Sequence, residues 1–210
     1  MSDRSTASSP SAAWRRLQAG NKRFDAALHH TPEDITERQA PLAAVFRCAD
    51  SHLPSEAVFG QSRGALIDIS TWGHVIDTGV LACVEYAVGT LRTPLIAVLG
   101  HPDCAAMRTA LDAWKKVTFP EGAARVVVEQ AISSLSRLNA TVGAADELSA
   151  AHVVQTGATL LHKSPVLAKA VDNGQAAIVC LVSGRNDGRL RVCATFGDIS
   201  ERESPLLECV

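Results

Sequence analysis

The sequence predicts an α/β fold, a mainly parallel central sheet flanked by helices, and two observations carry that prediction. Short apolar blocks, Leu42 to Phe46, Pro94 to Leu99 and Ala176 to Val182, are bounded by turn residues, as strands buried on both faces are. Between them lie segments with helical spacing, and strand–helix–strand alternation builds parallel sheets through right-handed crossovers. The first two blocks also run straight into residues that bind metals: Cys48 with Asp50 and His52 after one, His101 with Cys104 after the other.

In chain order, residues 1–10 read as a flexible leader and 11–210 as one domain. Ser11 caps a helix that carries Trp14, Leu17 and Phe24 on roughly one face. After the first strand, Pro54 to Phe59 reads as a short helix and Ala65 to Ile69 as a second strand. Asp77 is the N-cap of a helix from Thr78 to Val88, which leads into the strand ending at His101. A helix starts at Ala105 and runs to Leu111, with a break near Phe119-Pro120. Ala123 to Leu138 and Ala145 to Leu161 are two long helical patterns, and Pro165 opens a further helix that Asn173-Gly174 stops. The last strands, Ala176 to Val182 and Leu190 to Phe196, are joined by a glycine-rich and aspartate-rich hairpin, so the final strand is an antiparallel edge.

The chemistry follows from where the strands end. Ligands of open α/β sheets bind off the carboxyl ends of strands, where strand order reverses. Two such ends bring Cys48 beside His101 and Cys104, two thiolates and one imidazole. That is a three-ligand zinc set with a fourth position for water, substrate or the carboxylate of Asp50. Cysteine also serves as an inert buried residue, and a lone His-x-x-Cys is a weak signal; both clusters at strand ends favour zinc. A phosphatase-type nucleophile at Cys104 is discounted, because Cys104 to Arg108 has no glycine and enters a helical pattern.

These residues resemble the β-class carbonic anhydrases, the actinobacterial members in particular. The similarity begins at Ala13-Trp14 and Ala19 to Phe24, and takes in Gly73 to Asp77, Val84 to Val88 and Pro94 to His101. It continues through Ser164 to Ala168 and Ala177 to Val179. The resemblance implies a Zn2+ enzyme for the reversible hydration of carbon dioxide to bicarbonate and a proton by zinc-bound hydroxide. By it Cys48, His101 and Cys104 bind zinc, Asp50 acts beside the metal, and Gln39 contacts substrate. It further implies a homodimer or homotetramer in which the N-terminal helix packs on a partner subunit.

Three departures bear on activity. The family usually reads Cys-x-Asp-x-Arg, its arginine holding the aspartate off the metal, and here that position is His52. Histidine cannot reproduce the guanidinium fork, and its ionic hold would depend on pH. Asp50 then closes onto zinc, or His52 substitutes as a weaker partner, or His52 shuttles protons. Ser70 stands in place of a second arginine, and Trp72 at a usually small position either narrows the substrate pocket or fills core. Ala105 replaces a glycine, which bears on close approach of substrate. Beside carbon dioxide hydration stand two alternatives: hydrolysis of carbonyl sulfide or carbon disulfide in a Trp72-lined pocket, and a zinc-stabilised scaffold without turnover.

The chain has 210 residues, 47% hydrophobic and 20% charged, enough for a large core. A net charge of −2 gives no footprint for nucleic acid or an anionic membrane. No stretch has the roughly 18 apolar residues that span a bilayer, and no apolar signal core is evident. Six cysteines, irregularly spaced, suit a reducing compartment and a cytoplasmic location. Cys83 and Cys180, in apolar runs, are expected to be buried. His74 is a site-proximal candidate; His152 and His162, distant in sequence from the metal strands, are expected to be structural, and Asp103 a turn residue.

Overall fold

The computed structural model describes residues 14, 17–18, 41–137, 144–185 and 188–199. The chain divides into two compact units, Met1–Arg38 and Gln39–Val210. In the first, Trp14, Leu17 and Gln18 are helical, with Trp14 and Leu17 exposed. The leader, Ser11, Phe24 and Gln39 lie outside the described residues.

The second unit holds a five-stranded sheet of β1 (Ala43–Cys48), β2 (Leu66–Thr71), β3 (Leu95–Gly100), β4 (Ala177–Ser183) and β5 (Leu190–Phe196). The order is β2-β1-β3-β4-β5, with β1 to β4 parallel and β5 an antiparallel edge. The path goes from β1 outward to β2, then crosses back over β1 to β3, so strand order reverses between β1 and β3. Both faces of the three inner strands are buried, which is why they read as continuous apolar runs. Phe46, Ile96, Val98 and Ile178 face one core, and Val45, Ala97, Leu99 and Val179 the other.

The helices are α1 (Ser55–Phe59), α2 (Thr78–Glu85), α3 (Ala105–Lys116), α4 (Ala124–Ser133), α5 (Ala145–Lys163) and α6 (Pro165–Asp172). Asp77 caps α2, accepting the Val80 N–H at 2.8 Å, and Ser164 caps α6 through the Leu167 N–H. Several ends differ from expectation. The α2 helix gives way to a π-turn over Tyr86–Thr90, whose Leu91 N–H reaches back five residues to the Tyr86 carbonyl. The α3 helix runs on to Lys116, stopped by Val117 at φ 53°, whereas α4 ends early in a 3-10 turn at Ser134–Arg137.

Cys180 is buried as expected, but Cys83 is exposed. The apolar run hides a helical period: Val80, Val84, Ala87 and Val88 fill the core, and position 83 falls on the outer side. Among the described residues no helix is long and apolar enough to cross a membrane.

Candidate metal centre

Cys48 ends β1, and His101 directly follows β3, so two adjacent parallel strands deliver their candidate ligand residues to the reversal point. Cys104 comes from the turn beyond His101, where Asp103 takes φ 55° and lets the chain double back into α3. Arg185 ties that turn down, pairing with the carboxylates of Asp103 and Asp146. Donor atoms of Cys48, Asp50, His101 and Cys104 all lie within 4.8 Å of one another.

The residues fit a zinc ion. The two sulfurs are 3.7 Å apart, and two thiolates bound at about 2.3 Å on a tetrahedral metal lie about 3.8 Å apart. His101 Nδ1 faces the Pro102 carbonyl at 3.0 Å and Nε2 faces Asp50 Oδ1 at 2.7 Å. The Pro102 carbonyl only accepts, which fixes a proton on Nδ1 and leaves Nε2, facing the carboxylate, as the nitrogen that a cation would take. The His101–Asp50 contact is a direct hydrogen bond, shorter than the roughly 3.3 Å that separates nitrogen and oxygen ligands on one tetrahedral zinc.

The electrostatics agree. Burial works against the charged form of His101, yet Cys48 and Asp50 outweigh it and raise the imidazole's affinity for a proton. Cys104 is held below the ordinary thiol range, first by its hydrogen bond with Cys48 and then by the Met107 and Ala106 N–H groups opening α3. The same bond between the thiols, with burial, pushes Cys48 up. Burial would raise Asp50, but hydrogen bonds with Cys48, the Ala105 N–H and His101 prevail and keep it ionised at neutral pH. Two thiols, a carboxylate and an imidazolium crowded together are a set that a divalent cation stabilises by displacing protons.

The grip on Asp50 is different from an arginine's. Its Oδ2 accepts the Ala105 N–H at 2.6 Å, at the N-terminus of α3, where the helix dipole favours an anion. Ala105 therefore meets the site through its backbone. His52 is exposed and makes no hydrogen bond or ion pair among the described residues, so it does not hold Asp50 here. Ser70 is exposed on the edge strand β2. Trp72 is half-buried and packs against the apolar cluster that includes Cys48 and Cys104.

The sharpest feature is the turn after β2. Gly73 has φ 65° and His74 φ 54°, two successive left-handed residues. The Gly73 N–H donates to Cys48 Sγ at 3.1 Å. A Cβ on Gly73 would come within 2.4 Å of Val127 Cγ1 and 3.0 Å of Ala106 Cβ, so only glycine lets this peptide reach the thiol. His74 is fully enclosed, its Nε2 donating to the Leu99 carbonyl at 3.0 Å, and burial first, then His152 nearby, pull its pKa down to about 3. It braces β3 from behind the site; it is not among the grouped donors.

Two buried cysteines with a half-buried histidine and aspartate, at the reversal point of a parallel sheet, define an α/β zinc protein. A family model described as carbonic anhydrase matches residues 43–190. The chain is 39% identical to a carbonic anhydrase of Mycolicibacterium smegmatis over 92% of its own length and 98% of the relative's. It is 38% identical to carbonic anhydrase 2 of Mycobacterium tuberculosis, over 91% and 97%. The fold matches a Coccomyxa β-carbonic anhydrase solved with acetazolamide, at TM-score 0.69 and 20% identity over 88% of this chain and 86% of that one. It also matches a tetrameric β-carbonic anhydrase of Sordaria macrospora, at TM-score 0.69 and 17% identity over 87% and 96%. The chain belongs to the carbonic anhydrase family and has the β-class fold.

Proposed function

We propose that the protein catalyses the reversible hydration of carbon dioxide to bicarbonate and a proton, with zinc held by Cys48, His101 and Cys104 and with Asp50 at the fourth position. The observation that carries this reading is the meeting of those four side chains at the strand-order reversal of a β-carbonic anhydrase fold. When bound, zinc supplies the Lewis acidity that makes water a nucleophile near neutral pH.

The rest belongs to the chain. Asp50, ionised and clamped at Oδ2 by the Ala105 N–H, presents Oδ1 as the acceptor that orients water and takes up its proton. In the geometry seen here Oδ1 is engaged by His101, so Asp50 must turn outward on its Ala105 tether to work. With no arginine to draw it out, the closed arrangement is favoured, and His52, exposed beside it, is left as a proton carrier to solvent. Gln39 polarises a substrate oxygen, and Trp72, with the Ala105 backbone, bounds the space that carbon dioxide enters.

The working unit is a homodimer or homotetramer, in keeping with the tetrameric relative, and residues 11–210 act as one functional domain after a short leader. A reducing, cytoplasmic setting suits a site whose two sulfurs, 3.7 Å apart, must remain thiolates to hold a metal. The test is carbon dioxide hydration by protein of measured zinc content, run beside carbonyl sulfide hydrolysis. Turnover of carbon dioxide that tracks zinc supports the proposal; turnover of carbonyl sulfide alone replaces it with the altered-substrate reading.

A further inference from the structure

We propose that His152, locked by Ser134, is a positioning residue for the metal-binding thiolate of Cys48, acting through the peptide groups on either side of Gly73. This rests on the metal-centre reading above and adds a residue that lies 79 positions away from the turn it controls.

The chain of contacts is continuous. The Gly73 carbonyl can only accept, so the 2.9 Å contact from His152 Nε2 fixes the proton on that nitrogen. Nδ1 is then an acceptor and takes the Ser134 hydroxyl at 2.9 Å. His152 and Ser134 are both buried, and burial holds the imidazole neutral. That leaves one donor and one acceptor, each satisfied, in a ring that cannot rotate without losing both. Gly73 is thus gripped at its carbonyl by α5 while its N–H points at Cys48 Sγ, 3.1 Å away.

The grip has something to resist. Gly73 and His74 both sit in left-handed backbone, an arrangement costly for the non-glycine residue, and the ring of His74 lies 5.8 Å from that of His152. The titratable neighbours facing His152 are His74 from the turn and, beyond it, the centre itself; Ser134, Thr156 and Gly73 are neutral. Release of the Gly73 carbonyl lets the turn relax and swings its N–H off the sulfur. A thiolate without that hydrogen bond changes its basicity and orientation, and partners of this outer kind typically control metal affinity by roughly 10–100-fold.

The experiment uses the full-length protein loaded with cobalt(II), whose sulfur-to-metal charge-transfer band reports directly on the thiolates, and with zinc competed against a chromophoric chelator. H152F keeps ring volume but removes donor and acceptor. H152Q restores an amide donor at the position of Nε2. L160A, in the same helix, destabilises the core without touching the turn. The proposal expects H152F to shift the charge-transfer band and weaken zinc by roughly 10–100-fold, H152Q to recover the wild-type band, and L160A to keep it. Should H152F fail to fold, S134A, which retains the imidazole but frees it, must move the band in the same way to a smaller extent. A wild-type band in H152F or S134A overturns the proposal, as does equal loss of metal in H152F and L160A. Failure of the wild type to bind cobalt or zinc is a separate result, which overturns the metal-centre reading itself.

Discussion

Replacing Gly73 with alanine tests the turn that carries a peptide N–H to Cys48. The new Cβ lies 2.4 Å from Val127 Cγ1 and 3.0 Å from Ala106 Cβ, against an optimum of about 3.5–4.0 Å for carbon pairs. Something must move by more than an ångström, in a cluster where Val127 and Ala106 are both buried. Overpacking of this kind costs about 1–3 kcal/mol, and alanine at φ 65° adds about 1–2 kcal/mol. The sum, roughly 2–5 kcal/mol, is a large share of the roughly 5–15 kcal/mol typical of a folded domain. The assay is urea denaturation of the metal-free and zinc-loaded forms, with a double-mutant cycle on Val127→Ala. The cycle isolates the larger overlap: trimming Val127 removes the 2.4 Å contact but neither the 3.0 Å approach to Ala106 nor the backbone strain, so the double variant recovers only the Val127 part. The zinc-loaded form should lose more than the metal-free one, because the displaced turn also withdraws its hydrogen bond from the thiolate. A loss under about 0.5 kcal/mol, the range of ordinary surface changes, with unchanged zinc affinity, refutes the reasoning.

Other consequences are as direct. His74 has a folded-state pKa far below its unfolded value of about 6.5, so on acidification the unfolded chain takes the proton first. Stability is then complete above about pH 6.5 and falls between there and about 3 by roughly 1.4 kcal/mol per pH unit; comparing denaturation midpoints of wild type and His74→Asn at about pH 7.5 and 5.5 reads that slope, and equal slopes sink the claim. In Gly157→Ala the Cβ meets Cys180 Sγ at 2.6 Å and Phe196 Cε2 at 2.9 Å, prying α5 from β4 and β5 at a cost of about 1–3 kcal/mol in thermal or urea unfolding, with zinc content preserved. His52→Arg supplies a fork that draws Asp50 off the centre, and one charge-assisted hydrogen bond of about 1.5–3 kcal/mol corresponds to a rise in kcat/KM of roughly 10–150-fold; a fall, or no change, assigns the hold on Asp50 to the Ala105 N–H and His101.

Much of this architecture is written in local pattern. The strands are legible because β1, β3 and β4 are buried on both faces and therefore apolar almost without a break, and the candidate ligands are legible because β1 ends in Cys48 and β3 runs directly into His101. The antiparallel edge announces itself through the turn residues between β4 and β5. What escapes is set by contacts across the chain. The exposure of Cys83 follows from a helical period, Val80, Val84, Ala87 and Val88, which a count of apolar residues conceals. Besides His101, the hold on Asp50 comes from a backbone N–H at Ala105, which no side-chain motif encodes. His152 is distant in sequence from the metal strands, yet it sits on the buried stripe of Leu148, His152, Thr156 and Leu160. A histidine on such a stripe needs partners for both nitrogens, and that is the signal by which its contact with the Gly73 turn is traceable.

The central claim, that the centre built by Cys48, Asp50, His101 and Cys104 hydrates carbon dioxide, is tested most directly by stopped-flow hydration from about pH 6.5 to 9 on protein with measured zinc. Turnover should scale with zinc content, rise with pH, and disappear in Cys104→Ser. No turnover at any pH from protein carrying one zinc per chain would contradict the claim.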